Sequence, residues 1–263
     1  MKEIYFKLSG FTQEKRGFWD EKNGTILYGN RTYRVDELDF DNPISGTVYG
    51  TLLNYRGAMQ TFRVDDGPYK KLPEAPVLYI KPVNTLAAPG SPIPVPEDVE
   101  TLQMGAALGI VFARQATKVQ PEEALDYVKG YLIVNDVQIP HTDVYRPAIQ
   151  EICRDGFCPA GPWIVKKDAI SDPDDLAIQV SVNGTIVQQN TTRNLVRSVR
   201  TLIADVTEFM TLYPGDVLLV GIPENPPVAR DGEWVVVEIQ GLGRLENQLQ
   251  KEKMPVGDGY ETR

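Results

Sequence analysis

Few side chains in this sequence have the types and spacings that do chemistry. Tyr145 and Arg146 stand side by side, and a guanidinium fork matches a carboxylate geometrically, so the pair suits capture of an acidic ligand. The competing role is structural, with Arg146, or Arg154 beside Asp155, held in an ion pair. Asp136 follows Asn135 at the end of an apolar run. It suits either a hard cation or a strand end where a carboxylate binds backbone amides. His141 is the only histidine and follows Pro140 in a polar loop without a Ser or Cys motif, which argues against a triad hydrolase. Cys153 and Cys158, the only cysteines, lack C-x-x-C spacing and read as reduced structural thiols.

Composition narrows the classes further. The 263 residues suit one core domain with a small appended piece, and 42% hydrophobic with 24% charged residues is ordinary for a folded globular chain. A formal net charge of -9 leaves no basic footprint for nucleic acid and repels anions at long range. An acidic ligand must then be caught by local Lys or Arg groups. No stretch approaches the roughly 20 apolar residues of a membrane span, and Met1 to Leu8 has no signal-peptide character. A cytoplasmic protein that binds neither membrane nor nucleic acid is expected.

The elements that must position these residues are mostly strands. Ile4–Phe6, Thr25–Tyr28 and Thr32–Val35 read as a small β-meander, and Asn42-Pro43 places a boundary near residue 45. The expected division is a β extension over 1–45 and a main domain over 46–263. Strands follow at Thr47–Leu53, Val77–Ile80, Thr101–Ala113 and Tyr131–Ile139, with a proline-dense extended stretch over 82–96. Pro121 opens a short helix through Val128, with Gly130 past its end. Asn183-Gly184 joins Leu176–Val182 to Thr185–Gln189 as a type I′ hairpin. Leu195, Val196, Val199, Leu202, Ile203, Val206, Phe209 and Met210 line one face of a helix capped by Thr191 or Thr192. Val217–Gly221, Trp234–Gln240 and Arg244–Leu249 close the chain. The class is mainly β with a few helices (α+β).

From about residue 77 to 250 the chain resembles the fumarylacetoacetate hydrolase family. The landmarks are Lys81-Pro82, Asp126 to Tyr131 running into Asn135-Asp136-Val137, Val182-Asn183-Gly184 with Gln188-Gln189, Pro214-Gly215-Asp216-Val217, Gly221-Ile222-Pro223 and Gly241 to Asn247. Each is weak alone, and their collinear order is specific. Tyr145 to Ile149 and Cys153 to Pro159 resemble the branch that acts in homoprotocatechuate (4-hydroxyphenylacetate) breakdown. The resemblance implies a mixed β-roll, and a divalent Mg2+ or Mn2+ ion held by a Glu-x-Glu pair and an Asp. Strand alternation would turn both glutamates to one face.

Aligned to that pattern, the glutamate positions are Gly105 and Ala107, while the aspartate is retained as Asp136. The lid His and Glu fall at Ala58 and Thr61, a family Lys at Ile152, and the Gly-Thr-Pro hydroxyl at Ile222. No confident catalytic residue remains. Lys81 and Gln189 lie in segments that line the family pocket and, with Tyr145 and Arg146, are the expected substrate contacts. The resemblance implies a subunit of a decarboxylase/isomerase for small dicarboxylates and tricarboxylates. It would form a homodimer or a hetero-oligomer with a homologous C-terminal-type subunit that carries the metal. The alternatives are a non-catalytic scaffold subunit and an autonomous enzyme using other residues.

Overall fold

The computed structural model describes residues 1–62, 72–141 and 148–252. A 12-stranded sheet and a five-stranded sheet dominate the described residues. The centre of the large sheet is Ala106–Phe112, flanked by Val128–Asn135 and Val217–Leu219. It is buried along its whole length. Alternation sends Leu108, Ile110 and Phe112 into the main core, and Ala107 and Val111 into a smaller cluster with Leu132, Val134 and Cys158. Each such large side chain contributes about 1.5–3 kcal/mol on burial. A mainly β chain with few helices is therefore what folds.

Beyond Val217–Leu219 the sheet continues through Val48–Leu52 to the edge strand Val77–Lys81. On the other side Val128–Asn135 pairs with Cys158–Lys166, which pairs with Lys2–Leu8. Lys15–Asp20, Thr25–Tyr28 and Arg31–Arg34 follow outward, so the N-terminal meander extends the large sheet. Trp19 packs on Trp163 with ring centroids 4.8 Å apart, fastening the meander to the core. No helix among the described residues is long and apolar enough to cross a membrane.

The hairpin forms at Asn183-Gly184, where both residues take positive φ, 50° and 79°, as its turn type requires. The helix differs from expectation. It runs Val199–Phe209 and its cap is Ser198, whose side chain accepts from Thr201 N. Thr191 instead caps the short 3-10 turn Thr192–Asn194. Val196 N donates to Asn54 O at 2.8 Å and Arg197 N to Asn54 Oδ1 at 2.9 Å, so Asn54 holds the intervening segment out of the helix.

The residues from Pro121 form a 3-10 helix to Tyr127, and the next strand begins at Val128 rather than Tyr131 and ends at Asn135. Gly130 is thus no helix terminus. A Cβ there would lie 2.1 Å from Val165 O, so the glycine permits close approach of two strands. Cys158–Lys166 carries Pro159 and Pro162, which on sequence rules argue against a central strand. Pro162 sits where the pairing with Val128–Asn135 slips register, a place that needs no ladder donor.

Candidate functional site

Tyr79 and Lys81 are two apart on the edge strand, so both side chains leave one face. Opposite Tyr79 stands Gly50, and a Cβ at Gly50 would overlap the Tyr79 ring. This glycine lets the tyrosine reach across the sheet to Asp136, just past the end of Val128–Asn135. The Tyr79 hydroxyl donates to Asp136 Oδ2. Lys81 Nζ pairs with Asp136 Oδ1 at 2.8 Å, with 0% of the lysine side chain and 3% of the aspartate exposed.

The ammonium also donates to Val137 O at 2.9 Å and Ile152 O at 2.7 Å, so its three donors are all used. A buried pair survives only when its remaining polar valences are met. Burial, then the Asp136 charge, raise the Tyr79 phenol well above its ordinary value. Burial pushes the nearby Cys158 thiol up to about 12 and raises Cys153 as well. The cluster therefore contains a neutral phenol and two neutral thiols beside one ion pair.

A divalent cation does not fit these donors. Among the described residues no group of three or more His, Cys, Asp or Glu side chains is placed to hold a metal ion. Gly105 and Ala107 share the Asp136 face but bring no oxygen. A Cβ at Gly105 would meet Asp136 O at 2.4 Å and Ile222 Cδ1 at 2.6 Å, so the volume is already filled. Any cation at Asp136 Oδ1 would also face the Lys81 ammonium, and like charges at that range repel strongly in a buried setting.

Lys81 and Asp136 are thus brought together, but with each other as partners. Tyr145 and Arg146 lie outside the described residues. Gln189 is exposed on Thr185–Thr191, and its Nε2 donates to Gln179 Oε1 at 3.3 Å. Its neighbour Gln188 points inward, donating to Glu224 O at 2.8 Å. Thr61 turns its hydroxyl back on Ala58 O at 3.1 Å within the short helix Arg56–Thr61. Ile152 contributes only its carbonyl to Lys81. Arg154 donates to Gln150 O at 2.9 Å, while Asp155 accepts from Asn84 at 2.7 Å.

Tyr79, Gln188 and Glu224 do not stand out as site residues in the sequence. Tyr79 could have been found from its period-two spacing to Lys81. The inward turn of Gln188 could not, because a bulge opposite Val180 and Ser181 inverts the alternation counted from the turn.

The fumarylacetoacetate (FAA) hydrolase C-terminal family pattern matches residues 47–250. The chain belongs to the fumarylacetoacetate hydrolase family. It is 37% identical over 212 residues to a 4-hydroxyphenylacetate degradation bifunctional isomerase/decarboxylase of Escherichia coli, covering 80% of this chain and 48% of that protein. It is 35% identical over 188 residues to a mitochondrial oxaloacetate tautomerase of Xenopus laevis, covering 68% and 59%. The chain spans about half the length of the bifunctional relatives it matches. Among solved structures, a 5-carboxymethyl-2-hydroxymuconate delta-isomerase from Mycobacterium smegmatis superposes with a TM-score of 0.77 at 26% identity, over 96% of this chain and 100% of that one. In fold alone it also matches a maleylpyruvate hydrolase from Sphingobium sp. SYK-6 in complex with manganese and pyruvate, TM-score 0.75 at 20% identity over 95% of this chain and 100% of that one. Residues 1–46 lie outside the family match.

Proposed function

We propose that this chain is a subunit, with no metal chemistry of its own, of a bifunctional isomerase/decarboxylase. The reactions are decarboxylation of 5-carboxymethyl-2-oxo-hex-3-ene-1,7-dioate and isomerisation of the resulting 2-hydroxyhepta-2,4-diene-1,7-dioate. A homologous subunit holds the magnesium or manganese, and the two associate as a hetero-oligomer or beside a homodimer of this chain. The observation that carries the reading is the Lys81–Asp136 pair at 2.8 Å, which engages the carboxylate that the family resemblance assigns to the cation. Tyr145 and Arg146 are the proposed carboxylate contacts, with Gln189 as an outer polar contact. Lys81, its donors spent on the protein, supports the site rather than touching substrate. The same saturation favours, as a second reading, a non-catalytic scaffold role.

Both steps are to be followed by ultraviolet absorbance with this chain alone, with a homologue carrying the intact glutamates, and with the mixture. The expected result is silence from this chain and a several-fold rise over the homologue's own rate on mixing. Association without any change in rate selects the scaffold. Magnesium-dependent turnover by this chain alone overturns the proposal.

A further inference from the structure

Three of the buried side-chain oxygens left without a hydrogen bond belong to Glu224 and to two residues beside it, Gln188 and Tyr55. They are the Tyr55 hydroxyl, Glu224 Oε2 and Gln188 Oε1. Tyr55 is 0% and Gln188 8% exposed. Gln188 Nε2 is fixed to Glu224 O at 2.8 Å and Asn225 O at 3.2 Å, which turns its carbonyl oxygen free. Glu224 Oε1 accepts from Asn190 Nδ2 at 3.1 Å, which leaves Oε2 open. The carboxylate lies over Gly57, where a Cβ would sit 2.2 Å from its Cδ. Among the described residues no Lys, Arg or His forms an ion pair with Glu224. Burial and the Glu224 charge raise the Tyr55 phenol above its ordinary value, which places the two groups in one field.

We propose that Tyr55, Gln188 and Glu224 form a site for one monovalent cation, an alkali ion or ammonium, that ties the short helix Arg56–Thr61 to the Thr185–Thr191 strand. Buried polar atoms are rarely left unpaired, and such gaps mark an unseen water or ion. Two of the three atoms, Gln188 Oε1 and the carboxylate Oε2 of Glu224, offer lone pairs, and Glu224 has no cationic side chain beside it among the described residues, so a cation suits the gap. One carboxylate with two neutral oxygens balances a single charge, whereas divalent ions take several carboxylates or a shell of their own waters. The site shares no residue with the Lys81–Asp136 pair and needs no substrate.

The test measures the melting temperature of the full chain at constant ionic strength as choline chloride is replaced by sodium, potassium or ammonium chloride. At about ten times its dissociation constant the ion multiplies the folded-to-unfolded ratio by about eleven, a rise of about 3–6 °C for a chain of this size. Glu224→Gln and Tyr55→Phe should remove the rise. The three salts tell the alkali ions from ammonium. Thallium soaked into crystals of the unaltered protein should give an anomalous peak against Glu224 Oε2, a readout that holds even where a variant does not fold. Equal melting in every salt, an undiminished rise in Glu224→Gln, or an ordered water alone in the gap overturns the proposal.

Discussion

Replacing Lys81 with methionine removes the ammonium and keeps most of the buried stem. Asp136, 3% exposed, then keeps the Tyr79 hydroxyl as its only side-chain partner among the described residues. Val137 O and Ile152 O lose their donor at the same time. Breaking one side of a buried pair costs about 3–5 kcal/mol, mostly the desolvation of the stranded charge. For a domain of this size each kcal/mol shifts Tm by about 2–4 °C, so Lys81→Met should melt about 6–20 °C lower. The double variant Lys81→Met with Asp136→Leu deletes both charges and should recover most of that loss, since an apolar pair of similar volume is often neutral or better. Urea denaturation of both single variants and the double closes the cycle. The expected coupling is at least about 2 kcal/mol. A Lys81→Met loss under about 1 kcal/mol, or additive costs in the double variant, would refute the buried-pair reading.

Titration calorimetry should give magnesium affinity in the millimolar range or weaker, because Asp136 is the single carboxylate proposed for the family's cation position; micromolar binding contradicts this. Gly105→Ala should cost about 1–3 kcal/mol by overpacking against Asp136 O and Ile222, and adding Ile222→Val should return part of it in the same denaturation assay. The double change Gly105→Glu with Ala107→Glu therefore meets a steric obstacle besides charge repulsion, and melting with and without magnesium separates the two. Ser198→Ala should lose about 1 kcal/mol of stability as the true helix cap, and Thr191→Ala less. The folded Cys158 thiol is raised to about 12, so its contribution is complete below the ordinary thiol range and is lost as pH rises toward 12. Unfolding free energy should fall above about pH 8.5. Cys158→Ala should flatten the first part of that fall.

The order of short apolar runs was enough to give the class, because alternation and turn chemistry are local. Asn183-Gly184 specified its turn by the positive φ that both positions need. The ordered landmarks from Lys81 to Asn247 were also readable, and the absence of any acidic residue from Thr101 to Gln120 is a property of the sequence alone. No Glu-x-Glu pair can therefore come from that segment.

Which partner Asp136 takes was decided by tertiary structure. The Lys81–Asp136 partnership joins the edge strand to the end of a strand several ladders away, and no periodicity within either segment encodes the register between them. Gly50 acquires its purpose only when Tyr79 lies across it, and Gly130 only when Val165 O comes near. The helix began at Ser198 because Asn54, distant in sequence, claims the amides of Val196 and Arg197. Local propensity supplies the candidates, but a buried charge or amide takes the partner that the folded chain carries to it, because inside the protein an unpaired one is too costly to leave.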